Sequence, residues 1–416
     1  MSARTGRRHL LASILAGLVA LTAVAWLVRL SLFSHASPRL LDLDVYREGG
    51  RAMLHGHDLY SVRSRDGLLF TYPPVAAVLA VPLAVMTWRV AQFAWLPMIY
   101  VPLTVAVWYS FRPLLARARG YAPAVFAILA AGSAYLIPLR QEIHYGQVDI
   151  FLVALCVLDC AVARPRWPRG ALIGLATAIK LVPGVFIIYL FITGRRKAAG
   201  VASLSFAIAT GVAWLLAPKD SMRYWTSAIF DSQRLGQNTQ AANQSLRGMI
   251  LRLFAPAPAP VLLWLALALV VAVAGFMAAR VAARRGQEMA GVAITGLLAA
   301  LLSPVAWIHH LCWVILVIGV LTGDGRNRRR LAAAAVTAAL FVTDMPIWGK
   351  ILLDGRVAPI PVTRFMEATF GLAAVALIGI IYLFQPTAAD AGEPAAIPEA
   401  SVSGSDGELL AGSRNR

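Results

Sequence analysis

Apolar runs of about 20 residues recur from Leu10 to Phe384, parted by short polar segments. Each run is long enough to cross bilayer hydrocarbon as a helix. The pattern therefore predicts an all-α, polytopic membrane protein of about 10–12 segments. The first run, Leu10–Leu32, follows a basic Met1–Arg8 stretch. It is too long for a cleaved signal peptide and lacks a small-residue cleavage site, so it is expected to stay as the first helix, with residues 1–9 cytoplasmic. Two runs do not read as plain spans. Tyr72–Thr87 carries Pro73, Pro74 and Pro82, which predicts a hairpin or interfacial helix. Gly170–Thr193 is interrupted at Lys180-Leu181-Val182-Pro183, which predicts two half-helices that dip in and out.

The polar segments divide by charge. Short connectors carry Arg112/Arg117/Arg119, Arg164/Arg166/Arg169, Arg195/Arg196/Lys197, Arg280/Arg284/Arg285 and Arg326/Arg328/Arg329/Arg330. Basic residues in short loops mark the cytoplasmic side. The remaining segments, 33–71, 139–149, 218–258 and 343–364, are then extracytoplasmic loops of a membrane domain spanning 10–384. The first of these loops holds Gly49, Gly50 and Gly56, read as tight-turn glycines. Residues 385–416 are Ala/Pro/Glu/Ser/Gly-rich without apolar periodicity and are expected to form a disordered cytoplasmic tail.

Composition agrees with this reading. The chain has 416 residues, 59% hydrophobic and 14% charged, unlike a soluble domain. The net charge of +18 would suit nucleic acid, but its confinement to short loops argues against that partner and for membrane lipids. Cys156, Cys160 and Cys312 lie inside apolar runs without metal-type spacing and read as packing residues.

Chemistry concentrates in the extracytoplasmic segments. A charge at membrane depth costs roughly 2.5–3.5 kcal/mol, so such residues read as functional. Asp42 and Asp44 follow the first span; in an extended loop they would share a face, in a helix they would not. Both can also be solvated loop acids or caps. His309-His310 can contact phosphate, serve as a base, hold a metal, or simply form a structural pair. Lys180 is a snorkelling lysine or a cation for a phosphate. Arg140, Glu142 and His144 are a solvated loop or part of a site. Trp88, Trp95, Trp225, Trp307 and Trp348 suit interface anchors or sugar platforms. Carboxylates beside cations suit transfer from a phosphorylated lipid to a hydroxyl.

Ordered motifs then add a resemblance. Asp42-Leu43-x-Val45-Tyr46-x-x-Gly49-Gly50 with Phe70-Thr71-Tyr72-Pro73-Pro74 resembles the first external loop of bacterial GT-C mannosyltransferases that use polyprenol-phosphate-mannose. These include the α-1,2-mannosyltransferases of actinobacterial phosphatidylinositol mannoside and lipoarabinomannan synthesis. His144-Tyr145-Gly146-Gln147-Val148-Asp149, Lys180-Leu181-x-Pro183, Asn243-Gln244-Ser245-Leu246-x-Gly248 and Ser303-Pro304-x-x-Trp307-x-His309-His310 follow in the family's order, over roughly residues 10–350. The family usually has Asn where this chain has Asp149.

The resemblance implies a GT-C fold and an inverting transferase that moves mannose onto a glycolipid hydroxyl outside the plasma membrane. It makes Asp42 the base, with Asp44 second. His309, His310, Lys180, Arg140, His144 and Arg247 are then candidates for the phosphate, and Tyr46, Tyr72, Asn243, Gln244 and Trp307 for sugar or acceptor. No cofactor or metal is expected, because Arg, Lys and His can neutralise a departing monophosphate. The protein is expected to act as a monomer. Decaprenyl-phosphate-arabinose is an alternative donor. A secondary transporter is an alternative of another class, and the absence of visible repeats counts against it.

Overall fold

The computed structural model describes residues 3–33 and 40–385. The tail expected at 385–416 lies, apart from Gln385, outside the described residues. Within them the chain is helical, with isolated bridges at Arg63–Leu69 and Asn243–Trp307 as the extended pairings. A long first helix, α1 (Ala3–Phe33), lies along α5 (Ala122–Ser133), where the Tyr135 hydroxyl donates to the Ala23 carbonyl. Between them come α2 (Leu41–His55), α3 (Pro74–Val85) and the 31-residue α4 (Trp88–Ala118).

The first polar segment is not a loop of turns. Gly49 and Gly50 sit inside α2, and of the three glycines only Gly56 turns the chain, at φ +65, where it ends the helix. Gly50 instead permits contact: a Cβ there would lie 2.7 Å from the Ala80 carbonyl oxygen of α3. Buried Arg47 fastens the same two helices, donating Nε to the Leu83 carbonyl at 3.0 Å and Nη2 to that of Met86 at 2.6 Å. These are carbonyls that the C-terminal end of α3 leaves free. With 12 residues, α3 is about 18 Å long, short of a roughly 30 Å hydrocarbon core.

After α5 the chain forms α6 (Ile137–Tyr145) and α7 (Asp149–Ala161), bent by 118° at Gly146. The segment read as a polar loop at 139–149 is thus largely helix. Buried Glu142 accepts from the Ile150 amide at 3.1 Å and so closes the start of α7. The break at Lys180 separates α8 (Ala171–Ile179) from α9 (Val185–Ile192). Asp159 caps α8 by accepting from the Gly170 and Ile173 amides.

The remaining elements are α10 (Arg196–Leu216), α11 (Pro218–Thr226), α12 (Leu246–Phe254), α13 (Val261–Arg284), α14 (Glu288–Leu302), α15 (Val314–Thr322), α16 (Arg328–Val342), α17 (Met345–Asp354), α18 (Ile360–Glu367) and α19 (Thr369–Leu383). The segments 218–258 and 343–364 therefore also carry short helices. Their length, 8 to 10 residues, gives little periodicity to read. Among the described residues, four helices are long and apolar enough to cross a membrane, up to seven if each bent pair is one span, and four shorter apolar helices accompany them. Short helices such as α14 are possible because protein surrounds them: nearly all of α14 is buried. The protein is a multi-pass membrane protein.

Candidate active site

Four chain breaks meet at one end of the bundle: the start of α2, the α6–α7 bend, the α8–α9 break and the turn before α15. Each leaves a polar side chain where regular helix would bury none. Asp42 lies in the first turn of α2, where the positive end of the helix dipole favours a carboxylate. The preceding Leu40 is fully buried at φ 50, a conformation that costs energy for a branched side chain. Its amide donates to the His144 carbonyl at 2.9 Å, tying α2 to α6.

Tyr46 lies one turn beyond Asp42 on the same face of α2. Its hydroxyl is 3.1 Å from that of Tyr72, and both donate to the Gln147 side-chain oxygen, at 3.0 and 3.3 Å. Burial pushes the Asp42 carboxyl up to about 7; the Lys180 charge and the Gln147 amide hold it from going higher, while Asp149 acts with burial. Because α2 is a helix, Asp44 points elsewhere. It accepts from the Arg65 amide at 2.9 Å and pairs with the Arg65 guanidinium at 3.7 Å, so it secures the loop after α2.

Lys180 stands at the centre of the cations. Its ammonium donates to both Asp149 oxygens at 2.8 Å, lies 3.0 Å from His310 Nε2, and sits over the Tyr72 ring. An ammonium can only donate, so His310 Nε2 accepts and its proton is on Nδ1. That buried Nδ1–H has no partner, nor does either nitrogen of buried His309. Unsatisfied buried polar atoms in a tight cluster mark a place for a ligand. One ligand atom each of Asp149, His309 and His310 lies within 4.8 Å of the others, a spacing that can also hold a metal ion. The Lys180 ammonium already supplies a cation between Asp149 and His310.

An apolar cavity of about 540 Å³ opens from Tyr46 and Tyr72. It runs between α3, α4 and α7 past Leu79, Leu83, Trp95, Met98, Val101, Phe151 and Leu158. The polar cluster thus lies at the head of a greasy channel.

Other expected contacts fall elsewhere. Asn243 is fully buried and braces the fold: its Oδ1 accepts from the Ser245 and Ala306 amides, and its Nδ2 donates to the Asn238 carbonyl. Gln244 is also fully buried, donating to the Ala241 and Glu367 carbonyls and accepting from the Gly371 amide. Both side chains are hydrogen-bonded within the protein. Arg247 donates to Ser232 and lies over Trp264. Trp307 pairs its backbone with Asn243, and its ring packs near Gly236. Exposed Arg140 lies on the rim, close enough to act electrostatically on Tyr145 and Asp344. His144 is half-buried against the Tyr145 ring. Gln147 and Tyr145 were absent from the candidates, although both stand in the His144–Asp149 motif. A polar residue directly after Gly146, at a break in an apolar run, was the available signal.

Residues 70–304 match the family described as Glycosyltransferase family 87. Over 365 residues the chain is 35% identical to the polyprenol-phosphate-mannose-dependent α-(1-2)-phosphatidylinositol mannoside mannosyltransferase of Mycobacterium tuberculosis, covering 82% of each chain. The chain belongs to glycosyltransferase family 87. A protein of the same description from Mycolicibacterium smegmatis is 31% identical over 76% of this chain and 77% of its own. A third relative, the α-(1-2)-phosphatidylinositol pentamannoside mannosyltransferase of M. smegmatis, is 34% identical over 66% and 67%. No solved structure matches the chain significantly. The family 87 match covers α3 to α14 and includes Tyr72, Gln147, Asp149 and Lys180, while Asp42 and the histidine pair flank it.

Proposed function

We propose that this family 87 enzyme transfers mannose from polyprenol-phosphate-mannose to a hydroxyl of a phosphatidylinositol mannoside, forming an α-1,2 linkage outside the plasma membrane. The observation that carries the reading is a carboxylate with a raised pKa, beside a lysine and unpartnered imidazoles, at the head of an apolar cavity. The cavity suits the first part of a polyprenyl tail. The relatives' names supply the sugar, donor and acceptor class. The basic loops support a topology with both termini in the cytoplasm and the site outside. The enzyme works as a monomer.

The step is a single displacement. Asp42 takes the proton of the acceptor hydroxyl as that oxygen attacks the anomeric carbon. The bond from that carbon to the phosphate oxygen breaks, and the lipid phosphate leaves with the electron pair, so the configuration inverts. Lys180 and the His309 and His310 N–H groups receive the charge on the phosphate. The test is purified protein with labelled polyprenol-phosphate-mannose and a panel of phosphatidylinositol mannosides, read by product linkage. Transfer from decaprenyl-phosphate-arabinose alone would overturn the donor.

The raised pKa of Asp42 gives a pH signature. A base must be ionised, so kcat/KM is expected to rise with pH along an acid limb near 7. Asp149 helps to raise that value, so Asp149→Asn should move the limb to lower pH. An unchanged limb would disconnect Asp42 from the proton transfer.

A further inference from the structure

A second cavity, of about 740 Å³, lies at the opposite end of the bundle. α7, α14 and α15 connect the two places. α7 runs about 17 Å from Asp149 in the active site to Cys160 and Ala161 in this cavity's wall. α14 begins at Glu288 in the wall and ends beside Pro304, and α15 runs from the histidine pair to Gly319 and Val320. Segments that are far apart in sequence converge here, and four arginines line the wall: Arg112 in α4, Arg169 before α8, Arg195 before α10 and Arg330 in the first turn of α16. Glu288 is the one acid among the lining residues.

These guanidinium groups are not equivalent. Arg169 donates to the carbonyls at the end of α7, including Cys160 and Val162. Arg330 does the same for Val320 and Leu321 at the end of α15. Both are engaged in closing helix ends. Arg195 pairs with Glu288 at 2.7 Å and donates Nε to Thr193, yet its Nη2 is buried without a partner. Arg112 is exposed and makes no hydrogen bond or ion pair among the described residues. The wall thus keeps unspent donors under a surplus of positive charge, and guanidinium is the side chain that best matches phosphate oxygens.

We infer that this cavity binds a phosphate-bearing anion, the head group of an anionic phospholipid from the leaflet opposite the active site. Apolar lining from Pro113, Val162 and Met289 suits the lipid's glycerol and upper acyl carbons. The surrounding connectors carry the basic residues that draw such lipids to a membrane surface.

The test uses the full-length protein in phosphatidylcholine nanodiscs, with and without phosphatidylglycerol. Native mass spectrometry counts retained lipid, and a melting curve reads stabilisation. Wild type is expected to retain phosphatidylglycerol and to melt higher with it. Arg112→Gln, which breaks no internal contact, and Arg195→Lys, which keeps a cation for Glu288, should each lower retention several-fold. Arg326→Gln, an exposed cation outside this wall, should not. A parallel titration with inorganic phosphate separates the sources. A melting shift from phosphate alone, lost in the same two variants, keeps the site and gives it a soluble ligand. Equal retention in all variants, or equal loss from Arg326→Gln, would overturn the inference by reducing it to diffuse surface charge.

Discussion

Asp42→Asn is expected to lower mannosyl transfer by about 10²–10⁴-fold, the usual contribution of a positioned general base. The substitution keeps the shape of the side chain and removes its ability to accept a proton. It also removes a buried charge, so the melting temperature should hold or rise. Asp44→Asn is the matched control. Its Oδ1 can still accept from the Arg65 amide, while the ion pair to Arg65 is lost. Transfer should stay within a few-fold of wild type, with a small loss of stability of about 0–1 kcal/mol, because Arg65 is exposed. Radiolabelled product from purified protein, with melting curves alongside, checks both. If the two variants lose activity equally, Asp42 acts through the fold and not on the acceptor.

Lys180→Met should have the largest effect on stability. It leaves Asp149 as an uncompensated buried charge and strips His310 Nε2 of its donor. Breaking such a pair from one side costs about 3–5 kcal/mol. Transfer should fall as well, by about 10²–10³-fold, since a donor aimed at developing negative charge is lost. The double variant Lys180→Met/Asp149→Leu separates the two losses. With both charges gone the melting temperature should recover, while transfer should not. Recovery of both would make Lys180 a purely structural cation.

The sequence pattern disclosed most of the frame for a physical reason: apolar runs in a membrane protein are long, and their ends carry charge. The break at Lys180-Leu181-Val182-Pro183 was readable because a lysine and a proline together cannot continue a buried helix. The choice between Asp42 and Asp44 hinged on helix against extended chain, which the glycines obscured. Gly49 and Gly50 signal a turn or a close approach equally well, and here they serve close approach. The internal partners of Asn243 and Gln244 were not legible, because polarity in an apolar chain does not say which partner it seeks. Their partners, Ala306, Glu367 and Gly371, stand 63, 123 and 127 residues away. The pairing of Lys180 with Asp149 was hidden by the same long-range geometry.

The contact of Gly50 with Ala80 has a mechanical consequence. Two helices seated backbone on backbone have no layer of side chains between them to absorb a shove. Leu79 and Leu83, on the same short helix as Ala80, form part of the greasy channel. Whatever lodges there leans on the mounting that carries Asp42, so an occupant of the channel and that carboxylate are held in one stiff frame.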